Sequence, residues 1–251
     1  MKKRADLLLV ERGLCESRNK AQALVMAGQV FSGDQRVDKP GSQLALDAPL
    51  ELKGVERFVS RGGLKLEGAL EAFGGQVAIT GAVCVDVGAS TGGFTDCLLQ
   101  RGAERVYAVD VGQGQLAAKL AQDPRVIVRD KTNARFLEAA NFPEPIGVVV
   151  VDASFIGLGK LAPAIARTLV AGGSLVAMIK PQFEVGRDVA RRFSGVIRDP
   201  QIRGAAIEGV KAELSALGFT LLAEVDSSLP GPKGNLECFV LARLERAGGL
   251  S

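Results

Sequence analysis

The chain has 251 residues, 47% of them hydrophobic and 24% charged, with a formal net charge of +3 and no histidine. That is the balance of a globular protein with a sizeable core, long enough for one α/β domain and a small appended module. The missing histidine excludes Ser-His-Asp and Cys-His nucleophiles and leaves acid–base chemistry to Lys, Asp, Glu or Tyr.

No apolar run approaches the roughly 18 residues of a membrane span. The opening Met-Lys-Lys-Arg has the charge of a signal n-region, but the apolar stretch behind it, Leu7–Val10, ends at Glu11 and Arg12. This predicts a cytosolic protein without a membrane partner. Cys15, Cys84, Cys97 and Cys238 form no CxxC pair, so buried free thiols are expected and no metal site.

In chain order, residues 1–58 read as a first unit. Leu8, Leu9 and Leu14 mark a short helix after Asp6, closed by Gly13. Ser17 suits an N-cap, Ala21, Leu24 and Val25 recur at helical spacing, and Gly28 suits the stop. Gln29–Phe31 and Arg36–Val37 flank Ser32-Gly33-Asp34-Gln35, the pattern of a hairpin. Residues 1–65 hold twelve Lys and Arg against eight Asp and Glu, a net +4 that leaves −1 for the remainder.

Arg4-Ala5-Asp6, Ser17-Arg18, Ala27-Gly28-Gln29-Val30 and Val37-Asp38-Lys39-Pro40 together resemble the S4 RNA-binding domain. The resemblance implies a small α+β unit that presents Arg4, Arg18 and Lys20 to RNA phosphates and reads shape more than sequence. The alternative is a helical protein-contact module with ordinary surface charge.

Residues 59–251 alternate strands and helices. Short Val- and Ile-rich runs fall at Val83–Val87, Val106–Val109, Val126–Val128, Val148–Val151, Leu175–Ile179 and Cys238–Leu241. They predict a mostly parallel, Rossmann-like α/β sheet covered on both faces, with ligands at the strands' carboxyl ends.

The first such end carries Asp86-Val87-Gly88-Ala89-Ser90-Thr91-Gly92-Gly93-Phe94, a turn leading into a helix expected near Thr91. Gly88 and Gly92 free the backbone to turn and admit a ligand, and the helix start suits a carboxylate. The spacing G-x-S-x-G-G is not the G-x-G-x-x-G dinucleotide fingerprint. Asp86 favours an amino-bearing ligand over a pyrophosphate. Asp110, with Val111 beside it, closes the next strand where an acid accepts ribose hydroxyls, and Asp130, Lys131 and Asn133 follow the third strand, facing an adenine edge. The set Asp86, Gly88, Ser90, Thr91, Gly92, Gly93, Phe94, Asp110, Val111, Asp130, Lys131 and Asn133, joined by Asp152, is expected to bind S-adenosylmethionine. A structural turn in another nucleotide-binding α/β protein is the alternative.

Polar residues break three apolar contexts further on: Asp152 after Val148–Val151, Lys180 after Leu175–Ile179, and Glu237 before Cys238–Val240. A lysine closing a buried strand is costly unless it has partners or work. A fourth, Lys65, lies in Ser60-Arg61-Gly62-Gly63-Leu64-Lys65-Leu66.

The order Lys65, Asp152, Lys180, Glu237 resembles the catalytic tetrad of FtsJ-like ribose 2′-O-methyltransferases. With the S4-like front and the segments Val151–Ile156, Ile179–Glu184, Gly195–Pro200 and Gly231–Glu237, the chain resembles the TlyA (hemolysin A) family of ribosomal RNA methyltransferases. The resemblance implies methylation of a ribose, that of a cytidine, in ribosomal RNA of one or both subunits. In chemical terms, Lys180 crowded by Lys65 is expected to serve as a neutral base or to steady an oxyanion, with Asp152 and Glu237 orienting the ammonium groups. A structural Lys180–Glu237 ion pair is the alternative. Phe58 and Val59, in the segment Val55–Ser60 between the units, dock the small module in this reading. Arg61 and the stretch with Arg187, Arg191, Arg192 and Arg198 are candidate phosphate contacts, or else a solvated basic loop. Three rival functions remain open at this point: a membrane-lytic protein, a non-catalytic RNA-binding assembly factor and a small-molecule methyltransferase.

Overall fold

The computed structural model describes residues 2–54 and 57–245. The chain divides into two units, Met1–Glu56 and Arg57–Ser251. Val55 and Glu56, at the head of the segment between the units, lie outside the described residues.

In the first unit, β1 (Lys2–Arg4) leads into α1 (Ala5–Glu11), and α2 (Arg18–Met26) follows. Ser17 caps α2 by accepting the Lys20 N–H, as its position predicts. The helix ends in a Schellman motif: Gly28, at φ +71°, and Gln29 donate to the carbonyls of Val25 and Leu24. Next come β2 (Val30–Ser32) and β3 (Gln35–Arg36), joined by the expected hairpin turn, then β4 (Gln43–Ala45) and β5 (Leu50–Leu52). β2 pairs with both β3 and β5, and β1 with β4, all antiparallel. Ala5, Leu9, Ala21, Leu24, Val25, Val30 and Val37 form this unit's own core.

The second unit opens with α3 (Arg61–Ala72) and continues through β6 (Val83–Val87), α4 (Gly93–Gln100), β7 (Arg105–Val109), α5 (Ala118–Ala121), β8 (Val126–Arg129) and β9 (Ile146–Val151). Then follow α6 (Ala162–Thr168), β10 (Leu169–Ile179), α7 (Pro181–Glu184), α8 (Arg187–Arg192), α9 (Pro200–Ala216), β11 (Phe219–Asp226) and β12 (Cys238–Leu244). The strands form one sheet in the order β11-β12-β10-β9-β6-β7-β8. β10, β9, β6, β7 and β8 run parallel, and β12 joins β10 and β11 antiparallel.

The strand order fixes the site. From β6 the chain steps outward to β7 and β8, then returns to β9 on the other side of β6. Such a reversal opens a crevice at the carboxyl ends of the two central strands. Strand alternation also assigns faces. Val85, Val87, Val149 and Val151 pack against α6 and α9, while Cys84, Val148 and Val150 face α3 and α4. Asp86, between Val85 and Val87, therefore points to the α3/α4 side, with no exposed surface.

Candidate active site

The turn after β6 is built by non-local bonds. Gly88, Ser90 and Gly92 all take positive φ, at +83°, +47° and +98°. Left-handed residues cannot continue a helix, so α4 begins at Gly93 rather than near Thr91. The N–H groups of Gly88 and Ala89 donate to the Val109 carbonyl, tying the turn to the end of β7. The space beside the glycines is taken by protein. A Cβ on Gly88 would lie 2.9 Å from the Asp152 carbonyl oxygen, and one on Gly92 2.4 Å from Leu120. A Cβ on Gly93 would meet Ser60 Oγ at 2.3 Å and the Gly63 nitrogen at 2.8 Å. At these glycines the turn packs closely against the end of β9, α5 and α3.

Asp110 spans two loops: Oδ2 accepts the Ser90 N–H at 2.8 Å and Oδ1 the Gly112 N–H at 2.7 Å. Asp130 accepts the Gly114 N–H, and Asn133 caps the short turn at Arg135. Lys131 sits at φ +53°, and Val111 is 73% exposed beside Asp110. Asp86 differs from these carboxylates. Its Oδ2 accepts the Thr95 hydroxyl at 2.7 Å, and its Oδ1 is buried without a partner. Burial pushes its carboxyl up to about 7, against the pull of Thr95.

At the ends of β9 and β10 the polar residues meet in pairs. Lys180 Nζ lies 2.6 Å from Asp152 Oδ1 and donates to Ser154 Oγ at 2.9 Å and to the Asp152 carbonyl at 3.3 Å. Lys65, from the second turn of α3, donates to Glu237 Oε2 at 2.5 Å. Lys180 thus pairs with Asp152, not with Glu237. Glu237 reaches the same edge because β12 is antiparallel: Cys238 stands opposite Ile179, so the residue before it flanks Lys180. Burial raises the Asp152 carboxyl, opposed by Lys180 and Lys65 and reinforced by Glu237. Asp152 therefore lies within electrostatic reach of the other three groups.

Sequence reasoning left several supports unassigned. Ser154, within Val151–Ile156, and Thr95, the residue after Phe94, received no role. Asn235, 3% exposed, accepts the Ile197 N–H and donates to the Gly195 carbonyl, joining two motifs that were read separately. Asp96 accepts the Val59 N–H and pairs with Lys119. Phe58 is buried against Gly63 at the start of α3, inside the second unit. Of the candidate RNA contacts, Arg198 is exposed, and Arg61 is exposed while donating to the Pro230 carbonyl. The Arg187 side chain lies outside the described residues. Arg4 and Arg18 both bind Asp6, and Lys20 is exposed.

The model of the FtsJ-like methyltransferases matches residues 58–244, and that of the S4 domain matches residues 3–48. The chain belongs to the FtsJ-like methyltransferase family. A Mycobacterium tuberculosis relative named 16S/23S rRNA (cytidine-2′-O)-methyltransferase TlyA is 42% identical, covering 99% of this chain and 92% of that one. Hemolysin A of Brachyspira hyodysenteriae is 39% identical, covering 93% of this chain and 97% of that one. A solved structure from Streptococcus thermophilus is 42% identical with a TM-score of 0.72, covering 97% of this chain and 88% of that one. The methyl donor of this FtsJ-like enzyme is S-adenosylmethionine. No helix among the described residues is long and apolar enough to cross a membrane.

Proposed function

We propose that the chain methylates the 2′-hydroxyl of a ribose in ribosomal RNA, with cytidine as the nucleotide and the cytoplasm as the setting. The observation that carries this reading is the pairing of Lys180 with Asp152 and of Lys65 with Glu237 at the strand ends beside the glycine turn. The S4 match and the name of the Mycobacterium tuberculosis relative support RNA as acceptor and cytidine as the nucleotide.

The residues present fit S-adenosylmethionine. The unpartnered Asp86 Oδ1 suits a ligand ammonium, since a buried acceptor left unpaired costs about 1–3 kcal/mol. Each oxygen of Asp110 spends one acceptor site on a backbone N–H and keeps another for a ribose hydroxyl. Val111 offers an exposed apolar surface beside it. When bound, S-adenosylmethionine supplies a sulfonium methyl that is already a good electrophile.

The chain's task is to position the acceptor and manage its proton. Lys180 stands 2.6 Å from the Asp152 carboxylate, and burial raises that carboxyl. Lys180, acting as the base, takes the 2′-hydroxyl proton as the hydroxyl oxygen attacks. Lys65, held by Glu237, adds a second positive field for the forming oxyanion. Ser154 and the Asp152 carbonyl keep Lys180 aimed at the end of the sheet.

Lys180→Ala tests the assignment. Transfer falls by about 10²–10⁴-fold while titration calorimetry gives an unchanged affinity for S-adenosylmethionine; near-normal transfer overturns the role. Labelled S-adenosylmethionine incubated with each ribosomal subunit, followed by mapping of the methyl group, tests the acceptor. A methyl on a base overturns the ribose reading, and a ribose other than cytidine's overturns the nucleotide.

A further inference from the structure

The first unit is nearly neutral. Residues 1–56 carry nine Lys and Arg against eight Asp and Glu, a net +1; Arg57, Arg61 and Lys65 supply the rest of the basic excess of residues 1–65. Attraction of RNA by bulk charge is therefore weak here, and placement of individual cations has to carry contacts with phosphate.

Asp6 supplies such placement. Its side chain is fully buried and accepts four bonds: Arg4 Nε at 3.0 Å, Arg4 Nη2 at 2.9 Å, Arg18 Nε at 2.9 Å and Gln22 Nε2 at 3.0 Å. Two guanidinium groups from the starts of α1 and α2 are thereby fixed on one carboxylate. Their outer parts stay open, with side-chain exposures of 39% for Arg4 and 53% for Arg18. Among the described residues no bond is made by Arg4 Nη1 or by either Nη of Arg18. Gly41 makes room for Arg4, since a Cβ there would lie 3.1 Å from Nη1. A planar fork held at one edge keeps its other donors pre-aimed, and a phosphate then orders less side chain on binding.

We propose that Asp6 is a positioning residue that sets Arg4 and Arg18 as a two-pronged clamp for RNA phosphate. This rests on the RNA reading above and goes beyond it by assigning a buried carboxylate a part in binding a polyanion. The Arg4 bond first, with those of Gln22 and Arg18, holds the carboxylate well below the usual range against the opposing effect of burial.

The sign of one substitution separates placement from charge. Asp6→Asn makes the unit one charge more positive, so charge alone predicts tighter RNA binding and a steeper salt dependence. Preset geometry predicts the reverse. The test uses the full chain, labelled small- and large-subunit ribosomal RNA, and dissociation constants across a salt series. Arg18→Ala is expected to weaken binding about tenfold and to lower the slope of log K against log salt by about 1. Asp6→Asn is expected to weaken binding roughly threefold or more and to shrink the effect of Arg18→Ala made in the same chain. Arg18→Lys keeps the charge, loses the Nε bond and is expected to behave like Arg18→Ala.

If Asp6→Asn unfolds the first unit by circular dichroism, Arg18→Lys decides alone. Tighter binding by folded Asp6→Asn, or wild-type binding by Arg18→Lys, overturns the proposal. Absence of salt-dependent RNA binding by the wild-type chain overturns the RNA reading itself, a different result from either of these.

Discussion

Asp86 has one oxygen bonded to Thr95 and the other bonded to nothing among the described residues, and that asymmetry makes it a pH-dependent element. Its carboxyl is pushed up to about 7 in the folded chain, against about 4 for an ordinary aspartate. A raised acid leaves folding undisturbed below the unfolded pKa, where both states are protonated. As pH rises from about 4 to about 7 the unfolded chain releases the proton and the folded chain does not, so stability falls across that window, by something on the order of 4 kcal/mol. A bound ammonium offsets this by favouring the ionised form. Affinity for S-adenosylmethionine is therefore expected to rise between pH 6 and pH 8 with release of a proton, measured by calorimetry in buffers of different ionisation heat. Asp86→Asn should flatten that profile and weaken binding about tenfold or more. It should also raise the melting temperature of the ligand-free protein at pH 8 but not at pH 4. A pH-independent affinity in the wild type would remove Asp86 from the ammonium site.

At the scale of elements, the turn after β6 and the end of β9 are one packed object. Gly88 needs φ +83°, and a Cβ there would sit 2.9 Å from a backbone oxygen that no rotamer change can move. Gly88→Ala is expected to cost about 2–4 kcal/mol through left-handed strain and overpacking, and to displace Asp152 so that methyl transfer is lost as well. Gly81→Ala is the control: φ is +72° with nothing within 4 Å, so about 1 kcal/mol is lost and transfer is kept. Denaturant melts and turnover on both variants decide; equal losses of turnover would show that strain alone, not the contact with β9, is at work. The same elements show what the sequence made legible. The Val-rich strands and the Ser17 cap carry local signals and appear where pattern places them, because burial on both faces demands continuous apolar runs. β11 was not foreseen. Phe219–Asp226 includes Thr220, Glu224 and Asp226, as an antiparallel edge strand allows. β1, β4 and β5, at three residues each, are too short to show a period. In the site, polar residues at strand ends pointed to Asp152, Lys180 and Glu237, and the FtsJ-like resemblance joined Lys65 to them as a tetrad. Which lysine meets which carboxylate depends on the antiparallel register of β12 and on α3, and neither is a local property.

For the whole molecule, the deciding fact is that each unit has a core of its own. Seven buried side chains, Ala5, Leu9, Ala21, Leu24, Val25, Val30 and Val37, hold the first unit together, whereas the second buries two large clusters on the faces of its sheet. A unit of under 60 residues has little stability to spare. Leu9 is fully buried there, and Leu9→Ala removes about 2–5 kcal/mol through lost transfer energy and a cavity. That loss is comparable to all the stability such a unit has. The residues read as the donor and proton-transfer site, from Lys65 to Glu237, lie entirely in the second unit. Leu9→Ala is therefore expected to lose a low-temperature unfolding transition in calorimetry and to keep S-adenosylmethionine affinity within about twofold, since no donor contact changes. Methylation of ribosomal RNA should fall by about 10-fold or more, because the Arg4 and Arg18 forks lose the frame that orients them. Loss of cofactor affinity in step with RNA methylation would instead mean that the two units fold as one cooperative body, and the assignment of donor and acceptor recognition to separate units would fail.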